Sequence, residues 1–300
     1  MKAIQNNKQN DEFNYYIIEP GDIKDVNIGG ILCVPKGELK TKKLFTMISK
    51  DKYQSERDKE HTYEEVIGKS LEEIEANDIL SGLGLKGQIT LVPLLPSKDR
   101  VADTLENPSK AFDTIHLIRE CFTELDEQNP YYRLDEQMAK MMKYVIEKYD
   151  LDEKVNMFGH SGQGLPILRF AMLQPEIIDN LVCGGDADEI PTPVGQNAFK
   201  LGFPFGTLDY IYLFGKEFNE KAFRDIHFRF YVGEYEHVCP QLDGIRDCNY
   251  TIRENGKKGT GMDFAPEEVA DIYKTFYNPS YRKDVQTGLY ERLRICFKRI

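Results

Sequence analysis

The chain has 300 residues, of which 41% are hydrophobic and 11% aromatic, so it can bury a large core and lacks the composition of a disordered protein. Its net charge of -11 disfavours binding to nucleic acid or to an anionic membrane surface. No apolar run has the length of a signal peptide or a membrane helix, and the six cysteines form no CxxC pair. We therefore expect reduced thiols, a cytoplasmic location and neither a nucleic-acid nor a membrane partner; the sequence does not indicate an oligomeric state.

Apolar patterns of strand and helix type alternate along the chain. Two apolar runs at 15–19 and 28–34, separated by a Pro-Gly-Asp turn, predict an antiparallel hairpin at a sheet edge. The other predicted elements are strands at 43–49, 89–95, 155–158, 181–183 and 228–232, and helices at 64–79, 134–149, 165–173 and 286–300. This alternation predicts an α/β fold with a mostly parallel sheet and helices on both faces.

No internal repeat or linker divides the chain, so we expect one domain over residues 1–300. The polar residues 1–13 are expected to be disordered. Residues 190–226 are rich in glycine, proline and aromatic residues and are expected to form a cap-like insertion over a site. The aromatic side chains of this insertion fit a hydrophobic pocket and the packing of a cap against the core equally well.

The most informative stretch is Val-Asn-Met-Phe-Gly-His-Ser-Gly-Gln-Gly at 155–164, which predicts a strand, a sharp turn and a helix. A serine on such a turn, Ser161, lies at the carboxyl end of the strand, with the backbone N–H groups of a helix N-terminus beside it. Gly159 and Gly162 are expected to allow strained backbone angles in the turn. The alternative is an ordinary glycine turn in which Ser161 only caps the helix.

This stretch resembles the nucleophile elbow of the α/β-hydrolase family, G-x-S-x-G. Gly159, His160 and Ser161 fit the motif, but its fifth position is Gln163 and the glycine follows one residue later. The resemblance implies an α/β-hydrolase-like fold with Ser161 as the catalytic nucleophile. It also implies that the backbone N–H of Gly162 is an oxyanion donor, and that a second donor comes from residues 48–53.

The resemblance extends to Phe-Tyr-Val-Gly-Glu-Tyr-Glu-His-Val-Cys-Pro at 230–240. In this family the catalytic acid follows a late strand, and Glu236 occupies the corresponding place. Such a carboxylate would orient an imidazole and stabilise it when it is protonated. Glu234 is the alternative for this role.

A catalytic histidine is not evident. Beyond Glu236 the sequence contains one histidine, His237, and adjacent residues of an extended chain point in opposite directions. The resemblance places the histidine after a last strand, so we expect that strand and the base to follow Ile300 in a longer chain. His160 is expected to line the elbow, while the remaining histidines are expected to be structural or exposed: His61, His116 and His227.

The function that these residues indicate is hydrolysis of a carboxylic ester or small amide, a small-molecule substrate, through an acyl-serine intermediate. This chemistry needs no metal and no organic cofactor. Two alternatives remain open at this point. One is a catalytically inactive protein of the same fold that binds a hydrophobic small molecule. The other is a truncated chain that lacks the catalytic histidine.

Overall fold

The structure is a computed structural model of the chain. It describes residues 2–4, 12–50, 67–68, 70–71, 85–115, 117–160, 163–184, 202–204, 206–231, 252–254 and 257–259. None of the helices in these ranges is both long enough and apolar enough to span a membrane. The predicted C-terminal helix at 286–300 lies outside the described residues.

The strands of the described ranges are β1 Lys2–Ile4, β2 Phe13–Ile18, β3 Gly29–Pro35, β4 Phe45–Thr46, β5 Ser49–Lys50, β6 Thr90–Leu95, β7 Val155–His160, β8 Ile178–Gly184, β9 His227–Tyr231, β10 Ile252–Glu254 and β11 Lys257–Gly259. The helices are α1 Lys98–Ala102, α2 Glu120–Thr123, α3 Leu134–Tyr149, α4 Gly164–Leu173, α5 Tyr210–Phe214 and α6 Glu220–Arg224. The described residues of 67–71 are also helical.

Nine of these strands form one open sheet in the order β1-β2-β3-β6-β4-β7-β8-β9, with β5 paired to β6. The strands from β4 through β9 are parallel to one another, and β3 runs antiparallel to both of its neighbours. The predicted mostly parallel sheet and the predicted hairpin of β2 and β3 are therefore confirmed. Strands β10 and β11 form a separate antiparallel pair.

Side chains of the sheet alternate between two apolar clusters, because successive residues of a strand point to opposite faces. On β3, Leu32 contributes to a first face that α3 and α4 cover. Its neighbours Ile31 and Cys33 contribute to a second face, where the helical residues Ile67 and Leu71 are buried. Helices thus cover both faces of the sheet, as the alternating pattern predicts.

The two helices of the first face have different sequence patterns because they are buried to different extents. Helix α3 exposes its polar side and buries apolar residues at three- and four-residue spacing, which gives one apolar stripe. Every residue of α4 is buried, so it is apolar nearly all round. Both helices begin within one residue of the predicted positions.

Two sequence-based expectations need correction. The N-terminus is not disordered throughout, since β1 pairs antiparallel with β2 and Phe13 is buried at the start of β2. Three residues are too few to show a strand period in the sequence. The strand predicted at 43–49 is divided into β4 and β5, because the chain leaves its pairing with β7 after Thr46 and pairs again with β6 at Ser49.

The described part of the predicted cap, residues 202–204 and 206–226, packs against α4 and the α2 region. A series of ring contacts with centroids 4.6–5.5 Å apart joins Phe122, Phe203, Tyr210, Phe214, Phe218, Phe223 and Phe228. The Tyr210 hydroxyl donates to the carbonyl oxygen of Met172 at 2.9 Å. These described aromatic residues therefore pack against the core; that the segment covers a site stays a prediction.

A buried ion pair at the start of α3 is hydrogen-bonded to the residue that follows α4. Asp135 has no exposed side-chain surface and accepts two hydrogen bonds from Arg133, at 2.9 and 2.7 Å. The Gln174 side-chain amide, just after α4, donates to the same carboxylate at 2.8 Å. The carboxylate is thus satisfied by a bidentate guanidinium and an amide, the arrangement that a buried charge requires.

We predict that Asp135→Ala lowers the free energy of unfolding by about 3–5 kcal/mol, because it leaves the Arg133 guanidinium without its buried partner. Glu136→Ala is the control, because Glu136 pairs with the same guanidinium at 2.9 Å but its side chain is 49% exposed. The control is expected to cost less than about 1 kcal/mol. Urea unfolding measures both, and equal losses would contradict the prediction.

Candidate active site

The carboxyl ends of β4 and β7 are the place in this open sheet where a ligand-binding crevice is expected. These strands are neighbours, but their connections leave in opposite directions, β4 toward β6 and β7 toward β8. The first connection includes buried helical residues on the second face, and the second connection is α4 on the first face. Ligands of such sheets bind where adjacent connections diverge in this way. The site is therefore expected beside the end of β7.

The two strands also separate at this edge. The ladder between β4 and β7 consists of Phe45 with Asn156 and Thr46 with Met157. Further along, β5 pairs with Leu94 and Leu95 of β6, while β7 continues to His160 along β8. The chain after Thr46 therefore turns away from β7, and the crevice begins there.

The end of β7 and the start of α4 approach each other very closely. A Cβ on Gly159 would lie 2.3 Å from the carbonyl oxygen of Gln163 and 2.9 Å from Cδ1 of Ile167. Only glycine tolerates this approach of the helix backbone to the strand. Gly159 is not among the described residues with a positive φ, so space and not backbone angle requires glycine here. The expected strained angle is therefore corrected at this position.

The departure from the motif at Gln163 does not prevent this packing. Its backbone, and not its side chain, faces Gly159, and its side chain is half-buried. Gly164 is buried as the first residue of α4. A large fifth residue is therefore compatible with the sharp turn.

The three residues that the sequence assigns to catalysis lie outside the described residues. Ser161 and Gly162 fall between His160, which ends β7, and Gln163, which caps α4. Glu236 and its alternative Glu234 follow β9, which ends at Tyr231. Their assignments stay predictions.

Two of the five histidines belong to the described part of the chain. His160 is exposed at the end of β7, beside the elbow, as expected. His227 is exposed at the start of β9, the opposite end of a parallel strand from the crevice, so it is not placed to act as the base. The other three histidines lie outside the described residues: His61, His116 and His237.

An ion pair that the sequence did not indicate lies at the same edge. Lys50 ends β5, and its Nζ donates to Oδ2 of Asp113 at 2.7 Å. The next residue, Thr114, is buried and donates its hydroxyl to the carbonyl oxygen of Pro96 at 2.6 Å, just after β6. The contact joins residues 63 positions apart, so no local pattern could reveal it.

The described residues do not offer a metal site or a reactive thiol here. Within them, no three His, Cys, Asp or Glu side chains are grouped so that they could hold a metal ion. Cys183 pairs in register with Gly159, but it is fully buried. Burial raises the pKa of the Cys183 thiol well above its ordinary value. Because the thiolate is the nucleophilic form, Cys183 is not a rival to a serine.

We predict that Gly159→Ala destabilises the fold by about 1–3 kcal/mol, because the new methyl group must push the backbone of Gln163 away from β7. Gly37→Ala is the matched control, because a Cβ there has no heavy atom within 4 Å. Thermal and urea unfolding of both variants test this expectation. It is wrong if the two alanine variants are equally stable.

The sequence matches no protein-family model and no curated protein. Among solved structures it is similar to poly(aspartic acid) hydrolase-1 from Sphingomonas sp. KT-1, at 13% identity, covering 92% of this chain and 87% of that one, with a TM-score of 0.45. An S-formylglutathione hydrolase from Agrobacterium tumefaciens is 13% identical, covering 82% and 96%, with a TM-score of 0.43. Acetyl xylan esterase 1 from Thermoanaerobacterium sp. JW/SL YS485 is 15% identical, covering 75% and 65%, with a TM-score of 0.39. The chain has an α/β fold with an open, mostly parallel mixed sheet, and the solved structures to which it is similar are named as hydrolases and esterases.

Proposed function

We propose that the protein is a serine hydrolase that cleaves a carboxylic ester or a small amide through an acyl-serine intermediate. The observation that carries the proposal is the turn at Gly159, which has no room for a Cβ and stands where β4 and β7 diverge. A residue two positions further on, Ser161, then follows a strand end that faces the crevice. The motif at 159–163 supplies the hydroxyl that this position needs for acyl transfer.

The proposed reaction has two halves. The Ser161 hydroxyl oxygen attacks the substrate carbonyl carbon and its proton passes to a base, after which the carbon–oxygen or carbon–nitrogen bond breaks and the leaving group takes up the proton. Water then attacks the acyl-serine ester in the same way and releases the acid. In each half the Gly162 N–H donates to the negative oxygen of the tetrahedral intermediate.

Glu236 is proposed to accept a hydrogen bond from a histidine and so to hold it in the tautomer that can take the serine proton. Neither described histidine fits this role, as His227 starts its strand away from the crevice and His160 directly precedes the nucleophile. We propose a cytoplasmic, small-molecule hydrolase that needs no metal and no organic cofactor.

Ser161→Ala is expected to lower kcat/KM for p-nitrophenyl acetate by at least about 10³-fold, because the acyl-enzyme can no longer form. The same variant should lose labelling by a fluorophosphonate probe, which reacts with activated serines. Ser109→Ala is the control, because Ser109 is exposed and, within the described part of the chain, its side chain bonds to the nearby Asn107. Wild-type protein that neither turns over the ester nor reacts with the probe would indicate a non-catalytic binding protein instead.

Glu236→Gln is expected to lower kcat by about 10²–10⁴-fold with little change in KM, since an amide cannot stabilise the imidazolium. Glu234→Gln provides the comparison, two residues earlier in the same segment, and should keep wild-type kcat. Steady-state kinetics with p-nitrophenyl acetate distinguish the two. The reverse pattern would transfer the acid role to Glu234.

A further inference from the structure

The ion pair of Lys50 and Asp113 connects the end of β5 to an anchored loop. Lys50 ends β5, whose pairing comprises Ser49 with Leu94 and Lys50 with Leu95 on the side of β6. Its Nζ donates to Asp113 Oδ2 at 2.7 Å. The Asp113 loop is in turn fastened to the end of β6 through the buried Thr114 hydroxyl.

The Lys50–Asp113 ion pair contributes little to the free energy of unfolding. The two side chains are 36% and 39% exposed, and ion pairs with this much solvent contribute little to stability. The other carboxylate oxygen, Asp113 Oδ1, is shielded from solvent and has no hydrogen-bond partner among the described residues, which costs free energy. The Lys50–Asp113 ion pair adds little to the stability of the fold and leaves one carboxylate oxygen unpaired among the described residues. Its presence at this edge of the sheet therefore needs an explanation other than stability.

Strand pairing fixes β5 against β6 but does not fix its distance from β7. Thr46 is the last residue of β4 that pairs with β7, and β5 pairs with β6. The residues after Thr46 border the crevice, and the second oxyanion donor is expected from residues 48–53. The ion pair of Lys50 with Asp113 restricts the position of the chain after Thr46, which strand pairing with β7 does not do.

We propose that Lys50 and Asp113 are positioning residues for the oxyanion site: their ion pair sets the course of the chain after β4, so that a backbone N–H of this segment faces the negative oxygen of the tetrahedral intermediate. This inference rests on the proposed serine hydrolase activity. Neither side chain exchanges a proton with the substrate. Because the donor bonds most strongly when the oxygen becomes negative, loss of the pair affects kcat and leaves KM nearly unchanged.

The test compares Lys50→Met and Asp113→Asn with a matched pair at the other end of the same strand segment. Lys43 and Asp179 lie 2.9 Å apart, and both side chains are 29% exposed. With p-nitrophenyl acetate, each variant of the Lys50 pair is expected to lower kcat about tenfold, less than the 10²–10³-fold loss caused by removing an oxyanion donor. KM and the melting temperature should stay near wild type, and Lys43→Met and Asp179→Asn should keep wild-type kcat.

Two further variants separate positioning from a general charge effect. The double variant Lys50→Met with Asp113→Asn should be no slower than either single variant, because both remove one interaction. Lys50→Arg should recover most of the lost kcat, because a guanidinium can still bond the carboxylate. The rate of phosphonylation by a fluorophosphonate should fall in parallel with kcat, because that reaction develops charge at the same place.

The outcomes distinguish this inference from the proposed function. If turnover depends on Ser161 but Lys50→Met and Asp113→Asn keep wild-type kcat, the positioning role is overturned and the hydrolase proposal stands. A rise in KM alone, or equal losses in the Lys43 and Asp179 variants, also overturns it. If the wild-type protein shows no turnover that depends on Ser161, both proposals fail.

Discussion

The close approach of the Gln163 backbone to Gly159 is the constraint on which the proposed site depends. With a Cβ position only 2.3 Å from a carbonyl oxygen, the strand and the helix meet at a distance that glycine alone allows. The chain must therefore reverse from β7 into α4 within very few residues.

The order of the strands gives that turn a crevice to face. Because β4 is inserted between β6 and β7, its connection and that of β7 leave toward opposite sides of the sheet. Two connections that diverge cannot cover the point between them, so the ends of these two strands are the place where a ligand is expected. The division of the third predicted strand into β4 and β5 increases this separation, since the chain moves toward β6 just where β7 continues to the elbow.

The sequence predicted most of the described elements because their signals are local. Helix α3 follows from its apolar stripe, and the hairpin of β2 and β3 follows from two apolar runs around a Pro-Gly-Asp turn. The strand β7 and the helix α4 were also predictable, because their signals lie within one continuous stretch of sequence. However, the sequence suggested backbone strain at Gly159, whereas the structure requires glycine there because of the approach of Gln163.

The features that were missed depend on residues far apart in the chain. The pairing of Lys2–Ile4 with β2 needs a partner that a three-residue segment cannot reveal by itself. The division into β4 and β5 depends on which neighbouring strand each residue contacts. The ion pairs of Lys50 with Asp113 and of Arg119 with Asp209 join loops 63 and 90 positions apart. Polar residues in loops carry no periodic signal, so contacts of this kind become visible only in three dimensions.

The close approach at Gly159 persists because helix α4 is fixed at both of its ends. A strained or crowded segment keeps its shape only when the structure around it is fixed more strongly than the crowding can relax. Helix α4 meets this condition at both ends. Its first turn is held against Gly159, and just beyond its last turn Gln174 donates to the buried Asp135, whose charge is already satisfied by Arg133. The end of β7 is therefore held against a helix that is fixed at both ends, while the chain at Lys50 is held by an ion pair that is more exposed to solvent.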